Sequence, residues 1–238
     1  MASIKKRAVS TAQKEQRRQD ILASACKLFV STTDYDSLLM KHVAENIGLT
    51  KGTLYLYFKT KEEVFLALYT REFNARFDAM DEALQQIDLN FSSAKDVHIQ
   101  SKDLIKNFLD VVTENIMMQQ TFLRLNALLH TVLEKNIDFE TALTFKTLLR
   151  DRLLATGERV ESALPFLTIG QGAELLLTMH ELMIGCFHVS SPTPCLEDVF
   201  SRPDMAFMKL DFAQEFTKSL HLILLGFKQL NARALLSE

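Results

Sequence analysis

Asn46–Val64 reads NIGLTKGTLYLYFKTKEEV. The stretch is too broken by glycine to be plain core and too regular in its apolar spacing to be a linker. Upstream of it, Met40, Val43, Ala44 and Ile47 recur at i, i+3, i+4 and i+7, which predicts a short one-faced helix with Ser37 as its N-cap. Gly48 supplies the left-handed position that ends such a helix. Thr50 is placed to cap a second short helix from Lys51 to about Tyr57. Thr60 and Glu63 form a capping box, hydroxyl and carboxylate three residues apart. That box opens a long helix from Thr60 to Ile87, with Val64, Phe65, Leu68, Tyr69, Phe73, Phe77, Met80, Leu84 and Ile87 inward. Before all of these, Ile21, Leu22, Ala25, Leu28 and Phe29 mark a packing helix from Thr11 to about Ser31. Residues 1–9 read as a basic, mobile arm, and STTDYDS (residues 31–37) as a loop.

Two short helices around a tight glycine turn, preceded by a packing helix, make a helix-turn-helix, whose second helix lies in the DNA major groove. In that arrangement Leu49 and Leu54 pack the second helix on the first. Thr50, Lys51, Gly52 and Thr53 form its tip. A lysine there can donate to guanine O6 and N7, and Thr53 can reach a base or a phosphate. Gly52 lets the backbone approach closely. Tyr55 and Tyr57 can pack their rings and turn their hydroxyls to phosphate oxygens, whereas Phe58 reads as core. Lys61 adds a full charge to the electropositive start of the long helix.

Composition bounds the rest. The chain has 238 residues, 47% of them hydrophobic, with only 7 Gly and 4 Pro, which points to an all-α protein with a proper core. Three cysteines, Cys26, Cys186 and Cys195, with no Cys-x-x-Cys spacing, fit a reducing compartment. No apolar run reaches spanning length and the N-terminus lacks the apolar segment of a secretory signal, so a cytoplasmic protein is expected. Net charge is −3, but residues 1–61 carry an excess of six positive charges and the remainder an excess of nine negative ones. A basic N-terminal module that meets a polyanion, joined to an acidic body that does not, accounts for this asymmetry.

VAENIGLTKGTLYLYFKTKEEVF (residues 43–65) resembles the DNA-binding signature of TetR-family transcriptional regulators. Val43, Ala44, Gly48, Leu49, Thr50, Lys51, Gly52, Leu54, Tyr55, Tyr57, Phe58 and Lys61 fall on the family pattern in register, within a likeness covering about residues 15–65. Two departures stand out: Asp34-Tyr35 where the family often has Gly-Tyr, and Leu38-Leu39 where it often has two threonines, which removes a phosphate-contacting hydroxyl unless Ser37 supplies one. The resemblance implies an N-terminal three-helix helix-turn-helix module (residues 1–60) followed by a helical ligand-binding and dimerisation domain (61–238). It implies a double-stranded DNA operator, a homodimer and a small-molecule effector that the match does not identify. Lys41, Thr50, Lys51, Gly52, Thr53, Tyr55, Leu56, Tyr57 and Lys61 form the expected DNA-contacting set.

In the body, helices are expected over 101–116, 121–136, 137–157 (ending at Gly157), 167–189 and 205–230, with 190–204 a proline-rich loop. The last two are apolar nearly all round, as buried or paired helices are, and Leu176 and Leu224 are expected in or beside the dimer interface. HELMI (180–184) begins like a zinc-protease helix, but Ile184 stands where the second histidine is needed. Cys186, His188 and Cys195 lack a metal-site spacing, and no catalytic triad order, P-loop or dinucleotide turn is present, so neither catalysis, a cofactor nor a metal is expected. Met117, Met118, Phe122, Phe145, Met179, Met183 and Phe187 read mostly as core, with some of them candidates to line an apolar effector cavity. An acidic body rich in Met and Phe suggests a largely apolar effector, neutral or cationic. The alternatives are a DNA-binding regulator without an effector and a helical carrier or enzyme without DNA binding.

Overall fold

A computed structural model of the chain describes residues 2–32, 34–93, 101–117 and 119–235. The fold is all-α. The helices are α1 (Ala2–Ser31), α2 (Met40–Glu45), α3 (Lys51–Tyr55), α4 (Lys61–Ser93), α5 (Ser101–Met117), α6 (Gln120–Leu128), α7 (Phe139–Ala163), α8 (Gln171–Val189), α9 (Pro194–Phe200) and α10 (Phe212–Leu235). A π-helical turn, Leu129–Leu133, follows α6, and a 3-10 turn, Ala206–Met208, precedes α10. The chain divides into two compact units: residues 1–72 with 128–143, and residues 73–127 with 144–238.

In the first unit the predicted apolar stripes meet. Ile21, Ala25 and Phe29 of α1, Val43 and Ala44 of α2, Leu54 of α3 and Val64, Phe65, Leu68 and Tyr69 of α4 are all buried. Phe65 sits between Phe29 (ring centroids 5.6 Å apart) and Tyr35, which it meets edge to face at 5.1 Å. The Ser24 hydroxyl donates to the Val43 carbonyl at 2.9 Å, a buried bond that fixes α2 on α1. Leu129 and Leu133 of the π turn are buried too.

The helix starts differ in part from expectation. α1 begins at Ala2, so the helix continues back through the basic segment, which holds good helix formers and no glycine or proline. α2 begins at Met40 with Leu39 at its N-cap and no side-chain cap. Ser37 is occupied instead in the preceding turn, where its hydroxyl donates to the Asp34 carbonyl at 2.8 Å and the Asp34 carboxylate accepts from Asp36 N–H. Thr60 caps as predicted: its hydroxyl accepts from Glu63 N–H at 3.1 Å, while Glu63 reaches back to Lys59 N–H.

In the second unit α10 packs against α5 and α8. Phe216, Leu220 and Leu224 are fully buried along α10, and Phe187 of α8 meets Phe212 at 6.3 Å. Phe122, Phe145, Met179 and Met183 are buried as core, while Met118 and the Met117 side chain lie outside the described residues. α7 does not stop at Gly157 but runs on to Ala163. The reason is tertiary. A Cβ on Gly172 would stand 2.0 Å from the Gly157 carbonyl oxygen, and one on Gly157 would stand 2.6 Å from the Ala173 nitrogen. Glycine is there because α7 and α8 cross backbone to backbone. Glu161, one turn on, caps α8 by accepting from Gly170 and Gly172 N–H at 2.8 and 2.9 Å. The proline-rich loop holds a further helix, α9, none of whose residues is buried, and α10 starts at Phe212 rather than near Met205.

Gly172→Ala puts two effects in opposition. Helix propensity favours alanine by up to about 1 kcal/mol, whereas a methyl group forced against backbone costs roughly 1–3 kcal/mol, and here nothing flexible can yield. Net destabilisation is expected, read as a fall in thermal midpoint of roughly 2–4 °C per kcal/mol. A midpoint equal to or above that of the parent would show that the crossing opens freely.

Candidate nucleic-acid interface

α3 is five residues long, too short to hold itself. It is held by its neighbours. Gly48 has φ +67°, the left-handed turn that reverses the chain between α2 and α3. Thr50 caps α3, its hydroxyl accepting from Thr53 N–H at 3.1 Å and lying 2.9 Å from the Thr53 hydroxyl. Leu54 is completely buried, and Phe58 is buried just past the helix end. Arg18 of α1 clamps that end: its guanidinium lies 4.2 Å from the Phe58 ring centroid and donates to the Tyr57 carbonyl. Leu49 is half-buried.

With Leu54 inward, the remaining α3 positions face out. Lys51, Gly52, Tyr55 and Leu56 are exposed, Leu56 to 84%, and Thr53 and Tyr57 are half-buried. Lys51 Nζ lies 5.7 Å from the Tyr55 ring centroid, so the two form one outward cationic–aromatic group. A Cβ on Gly52 would meet only the Thr50 hydroxyl, at 3.9 Å. The free protein therefore has room for a side chain there. Nothing in the packing of the free protein requires glycine at this position. Lys41 is exposed on α2 and pairs loosely with Glu45 at 3.6 Å.

Lys61 is placed differently from the others. Its ammonium donates to the Tyr35 carbonyl and lies 3.9 Å from the Tyr35 ring centroid. Burial pulls its pKa below the usual lysine range, against the carboxylates of Asp36, Glu62 and Asp34. Lys61 thus ties the loop before α2 to the start of α4, and Tyr35, whose hydroxyl is buried with its pKa raised by desolvation, is the other half of that tie. A lysine carries three N–H donors, of which the Tyr35 carbonyl takes one.

Two residues of the site escaped the sequence reading. Arg18 stands on the packing helix and acts through Phe58. Lys59, beside the capped start of α4, pairs with Asp138, 79 residues away, where no local periodicity could signal it. Among the described residues no three His, Cys, Asp or Glu side chains cluster as metal ligands would, and no helix is long and apolar enough to cross a membrane.

Residues 21–68 match the family described as bacterial regulatory proteins, tetR family, and residues 70–231 match the tetracyclin repressor-like, C-terminal domain. A fatty acid metabolism regulator protein of Bacillus subtilis (strain 168) is 27% identical over 74 residues, which covers 31% of this chain and only 38% of that relative. A crystal structure described as a TetR-family transcriptional regulator of Mesorhizobium loti MAFF303099 superposes with a TM-score of 0.46 at 15% identity, covering 88% of this chain and 97% of that one.

Gly52→Ala separates fold from contact. The variant should fold with unchanged or slightly higher thermal stability, because the space is open and alanine favours helix. Its affinity for DNA should fall by roughly 1–3 kcal/mol, the cost of a methyl in a close contact. Unchanged DNA affinity would remove Gly52 from the interface.

Proposed function

The chain belongs to the TetR family of DNA-binding transcriptional regulators, and from that premise we propose that it is a dimeric, ligand-responsive repressor. Residues 1–60 read DNA, and residues 61–238 bind the effector and the second chain. The observation that carries the DNA reading is the outward tip of α3. Lys51, Gly52 and Tyr55 stand exposed on a capped helix anchored by fully buried Leu54, with half-buried Thr53 beside them. Lys51 reads a base edge; Thr53, Tyr55, Tyr57, Lys41 and Lys61 hold phosphates; Thr50 and Leu56 flank the tip.

Dimerisation is supported by what α8 and α10 leave uncovered. Leu176 and Leu224, expected at the interface, are buried within the protomer, 4% and 0% exposed. Apolar periodicity marks a face without saying whether its partner is the same chain or another. Among the uncovered apolar residues are Leu177 on α8 and Leu222, Leu225 and Leu230 on α10, between 42% and 65% exposed. A second copy of the same surface would cover them. Two recognition helices then stand about 34–36 Å apart, one turn of DNA, and enter successive major grooves. An effector bound in the body relieves repression if it favours a conformation in which that spacing is lost. The acidic, Met- and Phe-rich body supports a largely apolar effector, neutral or cationic, over a phosphate.

Leu222→Arg and Leu225→Arg should each give monomers in analytical ultracentrifugation and lose operator binding, since one half-site alone lacks affinity. Variants that stay dimeric would place the interface elsewhere. Lys51→Ala should cost roughly 1–3 kcal/mol per half-site on an operator selected from random duplexes, and much less on random DNA. Lys61→Ala should weaken both alike and lower the magnitude of the salt slope by about one per protomer. Equal losses on both duplexes for Lys51→Ala would make it a backbone anchor instead.

A further inference from the structure

Lys59 sits in the turn between α3 and α4, flanked by buried Phe58 and the helix cap Thr60, with its side chain 72% exposed. Two candidate DNA contacts, Tyr57 and Lys61, stand two residues to either side. Its ammonium already has a partner within the protein. It is paired with the Asp138 carboxylate, and the neighbouring Thr60 hydroxyl donates to the Asn136 carbonyl at 3.2 Å. Asn136 and Asp138 belong to the segment 128–143, which is part of the same compact unit as α1–α3. That segment leaves α6 through the π turn, whose i→i+5 bond from Glu134 N–H to the Leu129 carbonyl is 3.0 Å, an irregularity often found at functional sites.

Asp138 has two tasks, one on each oxygen. Oδ1 accepts from Thr141 N–H at 2.8 Å and so caps α7, while Oδ2 faces Lys59. A capping residue need not be charged, since asparagine caps as well as aspartate. The cap geometry therefore survives neutralisation of the side chain, although the charge also favours the electropositive start of α7. An anionic oxygen already sits on the lysine next to the recognition helix, and an anionic phosphate oxygen is the same kind of partner for an ammonium.

We propose that Asp138 is an internal competitor for the DNA phosphate at Lys59, so that the segment 136–138 and the DNA backbone exclude each other there. This rests on the DNA-binding reading above and adds the regulation of that site. By linkage, DNA binding loosens the segment, and any event that draws the segment away strengthens DNA binding to the same degree. The effect is sequence-independent, because a phosphate contact carries no base information.

The test uses the full chain, a random-sequence duplex and a salt titration. Asp138→Asn keeps the cap and removes the competitor. It should lower the thermal midpoint by no more than about 2–4 °C, the loss of one exposed ion pair, raise affinity by about two- to fivefold per protomer at low salt, and increase the magnitude of the salt slope by about one per protomer. Lys59→Ala combined with Asp138→Asn should bind no better than Lys59→Ala alone. Glu140→Gln, an equal charge change on an exposed residue nearby, sets the background gain from net charge. The proposal is overturned if Asp138→Asn gains no more than Glu140→Gln, if the gain survives in the Lys59→Ala background, or if binding weakens, which would make the pair a brace. A parent protein that binds no duplex at all would overturn the DNA-binding reading itself, and the competition with it.

Discussion

The tip proposed to read base edges rides on a helix that cannot stand alone. Five residues supply too few internal hydrogen bonds to repay the entropy of ordering them. The deficit is met by one side chain above all: Leu54, 0% exposed, whose burial contributes on the order of 1.5–3 kcal/mol. The Thr50 cap and the Arg18 clamp on Phe58 fix the two ends around it. Once Leu54 is seated, helical geometry leaves Lys51, Gly52, Tyr55 and Leu56 no direction but outward. The exposed tip follows from the buried anchor, and the rest of the first unit is the socket that Leu54 requires.

The body uses a different device. No large side chain fills the crossing of α7 and α8. Two glycines let the backbones meet, and Glu161 supplies the cap that the N-terminus of α8, with Gly170 at its N-cap position, lacks. Where the first unit is organised by a side chain that must be present, this crossing is organised by side chains that must be absent.

That contrast explains how much could be read in advance. The helix-turn-helix was legible because its signals are local: a glycine at φ +67°, a threonine cap three residues from its donor, and apolar residues at helical spacing. Ser37 misled for a local reason as well, since a hydroxyl near a helix start can serve the preceding turn instead. The remaining differences are nonlocal. Gly157 resembles a helix stop unless Gly172 is known to lie against it. Leu176 and Leu177 are neighbours with the same chemistry, and only the packing of α10 decides which is core and which is surface. Lys59 carries no mark of a partner 79 residues away. The proposed effector site would carry no local signature, because apolar core and apolar pocket share one composition.

The unit that contains α1–α3 is not continuous in sequence: it is completed by residues 128–143. On a ribosome this order has a cost in time. Leu143 is added 71 residues after Glu72, a delay of roughly 4–14 s at about 5–20 residues per second. Through that interval Lys59 and the cap at Thr60 are synthesised but their partners Asp138 and Asn136 are not. The nascent chain thus carries its basic helix-turn-helix elements before the acidic segment that pairs with one of their lysines. The completed unit closes only through a contact of long sequence separation, the slow kind.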